Sequence, residues 1–251
     1  MDNVISNEQK RVLYELAMCF EKHKLDYALI GAMALQIQHV DLGRFTRDLD
    51  FSILVKVNYE DFLEKCGLKR TSIPHRFEFK DAIVDIIPVI EGSKSSSIYW
   101  QTGELMDILG YREAIKNATG IKIEAEIGTI TLRVAPVPIV IFLKLVACKD
   151  RVESGDYDHA VKHLKDALNS LEQYEIKGER RFDYVEEVQE NENQFECAGA
   201  FLAGHDLRSV SSEEIVSSFS SYVKLCSSLR IKDYEKMLLK CFNHGFNYGG
   251  Q

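Results

Sequence analysis

The chain has 251 residues, 45% of them apolar and 28% charged, and a net charge of −8. That length supports one large domain or two modest ones with ample core. The acidic balance excludes a protein coated in basic surface for bulk nucleic-acid binding, though its 31 lysines and arginines can still line a local groove.

In chain order, Ser6 and Gln9 form a capping box ahead of Leu13, Leu16, Ala17 and Phe20 at helical spacing, which predicts a first helix. The stretch DYALIGA reads as a short apolar strand running into Gly31, and AMALQIQHV as a helix directly after it. GRFTRDLDFSI then enters a strand that carries Asp48 and Asp50. A polar helical stretch near 58–66 precedes HRFEFK and AIVDIIPVI, which alternate across a Lys80–Asp81 turn and predict an antiparallel hairpin. Two further strands are expected at IKIEAEI and ITLRVAP, parted by Gly128. From Pro136 the period becomes helical: Pro136 and Pro138 can open a helix, Ile139 to Arg151 continues it, and Ala160 to Leu171 gives another. EIKGERRFD reads as a polar linker before at least three more helices, one opened by a Ser211–Glu214 capping box. The expected class is α/β (α+β): a domain over 1–135 with a small mixed sheet flanked by helices, then a helical bundle domain over 136–251.

Cys19, Cys66, Cys148, Cys197, Cys226 and Cys241 show no CxxC spacing and sit mostly in apolar helical patterns. This predicts reduced core thiols rather than a disulfide framework or zinc site. The N-terminus lacks the layout of a signal peptide, and the most apolar segment, Pro138 to Cys148, is too short to span a bilayer and carries Lys144. A cytoplasmic protein with no membrane partner is expected.

Two aspartates at i and i+2 on a strand share a face and repel unless a proton or cation stands between them. Asp85 lies in the middle of AIVDIIPVI, where a carboxylate is costly to bury unless paired or metal-bound. Alone, it reads equally as a hydrogen-bonded core or edge aspartate. Together with Asp48 and Asp50 it gives three carboxylates on adjacent strands, able to hold two divalent ions for in-line phosphoryl transfer. An all-oxygen set suits Mg²⁺ or Mn²⁺ rather than zinc. Peptide N–H groups at Gly31 and Ala32 open a helix and can meet a phosphate, although a glycine there is also an ordinary turn. Tyr99 and Trp100 can stack on a base or cover a core edge, and the second is expected. His159 and His163, at i and i+4, lack a third ligand nearby in sequence and read as surface.

IGAMAL, RFTRDLDF and VDIIPV together resemble the DNA polymerase β-like nucleotidyltransferase superfamily, and the Arg-x-Thr-x-Asp-Leu-Asp spelling is most similar to its abortive-infection (AbiEii-like) type IV toxin branch. FLKLVACKDR with GDYDHAVKHL is similar to that branch's later lysine-containing helix and acidic motif, and AGAFLAGHDLRSV resembles a helical segment of relatives with an added bundle. The resemblance implies a metal-dependent transfer of a nucleoside monophosphate from a triphosphate, bound between the two domains, to an acceptor hydroxyl. Asp48, Asp50 and Asp85 would be catalytic and bind Mg²⁺ or Mn²⁺, with Asp85 completing the metal that activates the attacking group. Gly31 and Ala32 would hold the phosphates, with Arg44 and Thr46 nearby. Lys144 would reach the triphosphate and Asp156 would support that site. Implied partners are a nucleoside triphosphate, tRNA or another RNA, and a cognate antitoxin.

Two departures stand out. Ala32 replaces the family's second glycine or serine, and the acidic spacing in GDYDHA is irregular, leaving the roles of Asp156, Asp158 and His159 open. Lys144 also reads as a lysine snorkelling from a core helix. Residues 1–135 hold 17 basic and 20 acidic side chains and 136–251 hold 14 and 19, so neither half is basic and RNA would have to be gripped locally, with Lys144, Lys149, Arg151, Lys162 and Lys165 as the candidates on two consecutive helices. The rival readings are an enzyme that modifies a small molecule such as an antibiotic, and a non-catalytic nucleotide-binding protein. The intact aspartate trio speaks against the latter and Ala32 for it.

Overall fold

The computed structural model describes residues 5–56, 59–92, 97–100, 104–108 and 110–173. The linker at EIKGERRFD, the Ser211–Glu214 capping box and the helices expected around it lie outside the described residues. The chain divides into two compact units, Met1–Val140 and Ile141–Gln251.

The first unit opens with α1 (Asn7–Lys22), whose capping box is formed as expected: the Ser6 side chain accepts from Gln9 N–H, and the Gln9 side chain reaches back to Ser6 N–H. Its buried stripe, Val12, Leu13, Leu16, Ala17 and Phe20, follows the helical period. β1 (Tyr27–Ile30) runs directly into α2 (Gly31–Ile37). β2 (Leu49–Val55), α3 (Glu60–Lys65), β3 (Lys69–Arg70), β4 (Arg76–Phe79) and β5 (Ala82–Ile90) follow. A ribbon of β6 (Ser97–Trp100) and β7 (Glu104–Asp107), then α4 (Tyr111–Lys116), precede β8 (Thr119–Ala125) and β9 (Gly128–Val134). α5 (Val137–Glu153) crosses the boundary between the units.

Seven strands form one mixed sheet in the order β3-β4-β5-β2-β1-β9-β8, larger than the small sheet expected. β2 pairs parallel with β5 and antiparallel with β1, and β1 pairs parallel with β9. The β4–β5 hairpin turns at Lys80–Asp81 as predicted. On β2, Leu49, Phe51 and Ile53 are fully buried. Phe51 meets Phe20 of α1 at 5.4 Å between ring centres, and Tyr27 meets Phe20 at 5.0 Å. Asp50 and Ser52 alternate to the other face, where Ser52 Oγ donates to the Tyr111 carbonyl at the start of α4. The sheet is therefore sandwiched, with α1 on one face and α4 on the other.

Three further features differ from expectation. Asp48 lies one residue ahead of β2 rather than inside it. The β6–β7 ribbon and α4 were not anticipated, being too short to show a period. Cys19 and Cys66 form a disulfide where reduced thiols were expected, because α1 and the C-terminus of α3 bring together residues 47 apart in sequence. No helix among the described residues is long and apolar enough to cross a membrane.

In the second unit, α6 (Tyr157–Gln173) follows α5 as predicted. Lys144 of α5 pairs with Asp166 of α6 at 2.9 Å, and both side chains are buried.

Candidate active site

Parallel pairing of β2 with β5 sets Asp50 directly beside Asp85. Neighbouring strands are about 4.8 Å apart and laterally paired residues share a face, so Asp50 and Asp85 project from the same face of the sheet. On the other flank of β2, Asp50 pairs with Ile30, the residue that leads into Gly31. A Cβ built on Gly31 would collide with the Asp50 carboxylate, lying 2.8 Å from its Cγ, and Gly31 has φ +69. Both facts require glycine here: the Asp50 side chain rests on the bare backbone where α2 begins. Ala32 is buried, so its methyl group points into the core.

A cation already faces these acids. Arg76 on β4 lies opposite Asp85 in register and donates to both of its oxygens, Nε to Oδ1 and Nη2 to Oδ2, each at 2.8 Å. The hydrogen bonds to Asp85 hold the Arg76 guanidinium above its ordinary pKa, and the charges of Asp48 and Asp50 add to the effect. The neighbouring His75 stacks between Tyr59 and Trp100, at 6.4 and 5.7 Å, and shares a 2.6 Å hydrogen bond with Tyr59 Oη. Burial depresses its pKa. Trp100 thus covers the edge of the core, as expected, while Tyr99 is exposed.

Asp48 is exposed and sits on the segment between α2 and β2. Buried glutamines hold that segment: Gln9 Nε2 donates to the Thr46 carbonyl at 2.8 Å and Gln36 Nε2 to the Arg44 carbonyl at 3.0 Å. Thr46 is buried and Arg44 half-buried. The structure thus brings Gly31, Asp50 and Asp85 together, with Asp48 on the tethered approach to β2. Among the described residues, the ligand atoms of Cys19, His23 and Cys66 also gather, within 4.8 Å of one another.

Lys144 and Asp156 belong to the second unit. Lys144 is engaged by Asp166 rather than snorkelling to solvent. Asp156 precedes α6 and takes hydrogen bonds from the His159 backbone, from the His159 ring at 2.8 Å and from Arg151 at 3.4 Å. The His159 hydrogen bond is the chief cause of its lowered pKa. Sequence reasoning missed Arg76, His75 and Asp166. Arg76 was detectable in principle, because a hairpin closed by Lys80–Asp81 sets residue 76 opposite 85.

Residues 11–239 match the family described as nucleotidyl transferase AbiEii toxin, type IV TA system. The chain belongs to this family. It is a nucleotidyltransferase. No curated protein matches it. Among solved structures, the antibiotic-resistance factor ANT(2'')-Ia in solution is 14% identical, with 67% of this chain and 92% of that chain covered and a TM-score of 0.37. The crystal structure of ANT(2'')-Ia in complex with adenylyl-2''-tobramycin gives 13%, with 66% and 99% covered and a TM-score of 0.35. An antigenic nucleotidyltransferase-like protein from Paracoccidioides brasiliensis gives 15%, with 90% and 94% covered and a TM-score of 0.43. At these TM-scores the likenesses carry no argument about chemistry.

A divalent ion fits the donor set. The carboxylates supply only oxygen ligands, as Mg²⁺ and Mn²⁺ prefer. The guanidinium on both Asp85 oxygens shows that this end of the sheet takes a cation.

Proposed function

We propose that this nucleotidyltransferase moves a nucleoside monophosphate from a nucleoside triphosphate to an acceptor hydroxyl at an RNA 3′ end, tRNA above all. Asp48, Asp50 and Asp85 would hold Mg²⁺ or Mn²⁺. The observation that carries this reading is the in-register Asp50–Asp85 pair on parallel central strands, with a guanidinium as its cation. Metal ions bound there would polarise the α-phosphate and stabilise charge on the attacking and leaving oxygens.

The chain's own residues do the positioning. Gly31 seats the Asp50 carboxylate on bare backbone, and the Gly31 and Ala32 peptide N–H groups at the opening of α2 are proposed to meet the phosphates. Arg76 offers a planar fork of donors that can engage phosphate oxygens in pairs. Arg44 and Thr46, on the segment tied down by Gln9 and Gln36, are proposed to meet the nucleotide. Lys144 and Asp156 are assigned to the triphosphate on family resemblance. For the RNA, Lys162 and Lys165 lie exposed on α6. Few phosphates would be neutralised there, so binding should depend only shallowly on salt. The family is that of a type IV toxin–antitoxin system, and a cognate antitoxin is the proposed protein partner.

The test is incubation with each α-labelled triphosphate, Mg²⁺ and total RNA, for wild type and Asp50→Asn. Label is expected at an RNA 3′ end with wild type and nowhere with the variant. Label on a small-molecule hydroxyl or on protein alone would overturn the RNA acceptor. Undiminished labelling by Asp50→Asn would overturn the carboxylate assignment.

A further inference from the structure

A second cluster of ligating side chains lies away from the carboxylates. Cys19 and His23 are four residues apart on one face at the end of α1, and the His23 N–H donates to the Cys19 carbonyl at 3.1 Å, continuing the helical turn. Cys66 ends α3, its N–H bonded to the Phe62 and Leu63 carbonyls. The ligand atoms of all three lie within 4.8 Å of one another. The His23 ring packs edge-on against Phe62 of α3 at 4.7 Å, which holds the imidazole on the side of α1 where Cys66 arrives. Gln9, ten residues before Cys19 on the same helix, bonds the Thr46 carbonyl two residues from Asp48. At 1.5 Å per residue the cluster is about 15 Å along α1 from that tether.

We propose that Cys19, His23 and Cys66 form a site for one Zn²⁺ ion when the cysteines are reduced, and that the disulfide is its oxidised, metal-free form. Two thiolates and an imidazole are the soft ligands zinc favours over Mg²⁺. The Cα atoms of the two cysteines are 5.9 Å apart. Tetrahedral zinc with bonds of about 2.3 Å needs the sulfurs about 3.8 Å apart, an opening that side-chain rotation supplies. The two cysteines are half-buried and His23 is exposed, so the fourth position opens to water. A plain disulfide has no use for His23, whereas a three-ligand site requires it.

The chemistry balances. A dithiol reductant gives two electrons and two protons to the disulfide and becomes a disulfide itself, leaving two thiols. Zn²⁺ then binds as both thiols release their protons. Cys148 is no competitor, since burial raises its thiol pKa to about 12.

The test uses the full chain, reduced with a dithiol, desalted without oxygen, and loaded with Zn²⁺, or with Co²⁺ as a spectroscopic probe. One equivalent of Zn²⁺ retained in the presence of excess Mg²⁺, and a cobalt–thiolate charge-transfer band, are expected. Cys19→Ser/Cys66→Ser keeps the other four cysteines and should lose both signals. His23→Ala, at an exposed position, should weaken Zn²⁺ affinity at least about tenfold, the smallest loss seen when even a residue that only orients a ligand is removed. Its disulfide should still form on oxidation. Asp50→Asn should bind Zn²⁺ as wild type does, which separates this site from the proposed Mg²⁺ site. Reduced wild type that retains no Zn²⁺, a double-serine variant that keeps it, or unchanged affinity in His23→Ala would each overturn the proposal.

Discussion

Arg76→Ala removes both donors from Asp85, whose side chain is 8% exposed, and leaves that carboxylate beside Asp50 without its guanidinium. Breaking a buried ion pair by deleting one partner costs about 3–5 kcal/mol. Because Arg76 is itself 26% exposed, solvent screens part of the interaction and the low end, about 3 kcal/mol, is expected. With a urea m-value of about 2 kcal/mol/M, the midpoint should fall by about 1.5 M. Trp100, the single tryptophan, stacks on His75 next to Arg76, so its fluorescence reports this end of the sheet. Mg²⁺ adds the diagnostic arm. At a hundred times its Kd a ligand that binds only the folded state contributes about 2.7 kcal/mol. Mg²⁺ should therefore restore most of the loss in Arg76→Ala while raising wild type less, since there it competes with the guanidinium for Asp85. Arg76→Ala/Asp85→Asn should recover stability without metal. A metal-free midpoint unchanged by Arg76→Ala, or an equal Mg²⁺ response in both proteins, would refute this account of the site.

Gly31→Ala should lower transfer activity by about 10²-fold, because the new methyl group displaces Asp50 by a distance that matters for in-line attack; single-turnover rates at saturating Mg²⁺ check this. Lys144→Met removes the ammonium from Asp166, whose side chain is 3% exposed, and should cost about 3 kcal/mol. A thermal melt equal to wild type would show that the pair carries no stability. The desolvated His75 ring has its pKa below the ordinary 6.5 in the folded protein, so the unfolded chain binds the proton more readily. Its contribution is complete above about pH 6.5 and is lost as pH falls through the folded value. His75→Phe should flatten the decline in urea midpoint from about pH 7 to about pH 5, and an unaltered slope would count against it.

Much of the first unit was legible because its signals are local. The Ser6–Gln9 capping box, the strand before Gly31, the Lys80–Asp81 hairpin and the two helices after Pro136 are each written in a window of a few residues. Asp85 stood out because a carboxylate in an apolar strand contradicts its surroundings, and Asp48 and Asp50 because two like charges lie two positions apart. Partnerships made by topology were not. Cys19 meets Cys66 only because α1 and α3 approach each other. Lys144 finds Asp166 on the next helix, 22 positions on, where the pattern showed only a lone charge in an apolar run. The ribbon at Ser97–Trp100 is anchored by Trp100 against His75, a stacking that no periodicity encodes.

The spacing of Asp48 and Asp50 suggested that the anionic site is made within one strand, but the register between strands matters more. Asp48 precedes β2 and is exposed, where water moderates its repulsion of Asp50. The residue that faces Asp50 across the strands is Asp85, and it does so because β2 and β5 run parallel in one particular alignment. A slip of one residue would set Asp50 beside Val84 or Ile86 and turn either it or its neighbours to the wrong face. The alignment is fixed by apolar pairs farther along, Phe51 with Ile86, Ile53 with Pro88 and Val55 with Ile90, where β2 contributes buried side chains throughout. Those apolar pairs decide which residue each aspartate stands beside and which face it takes, and the Arg76 guanidinium offsets the charge that Asp85 brings to that face.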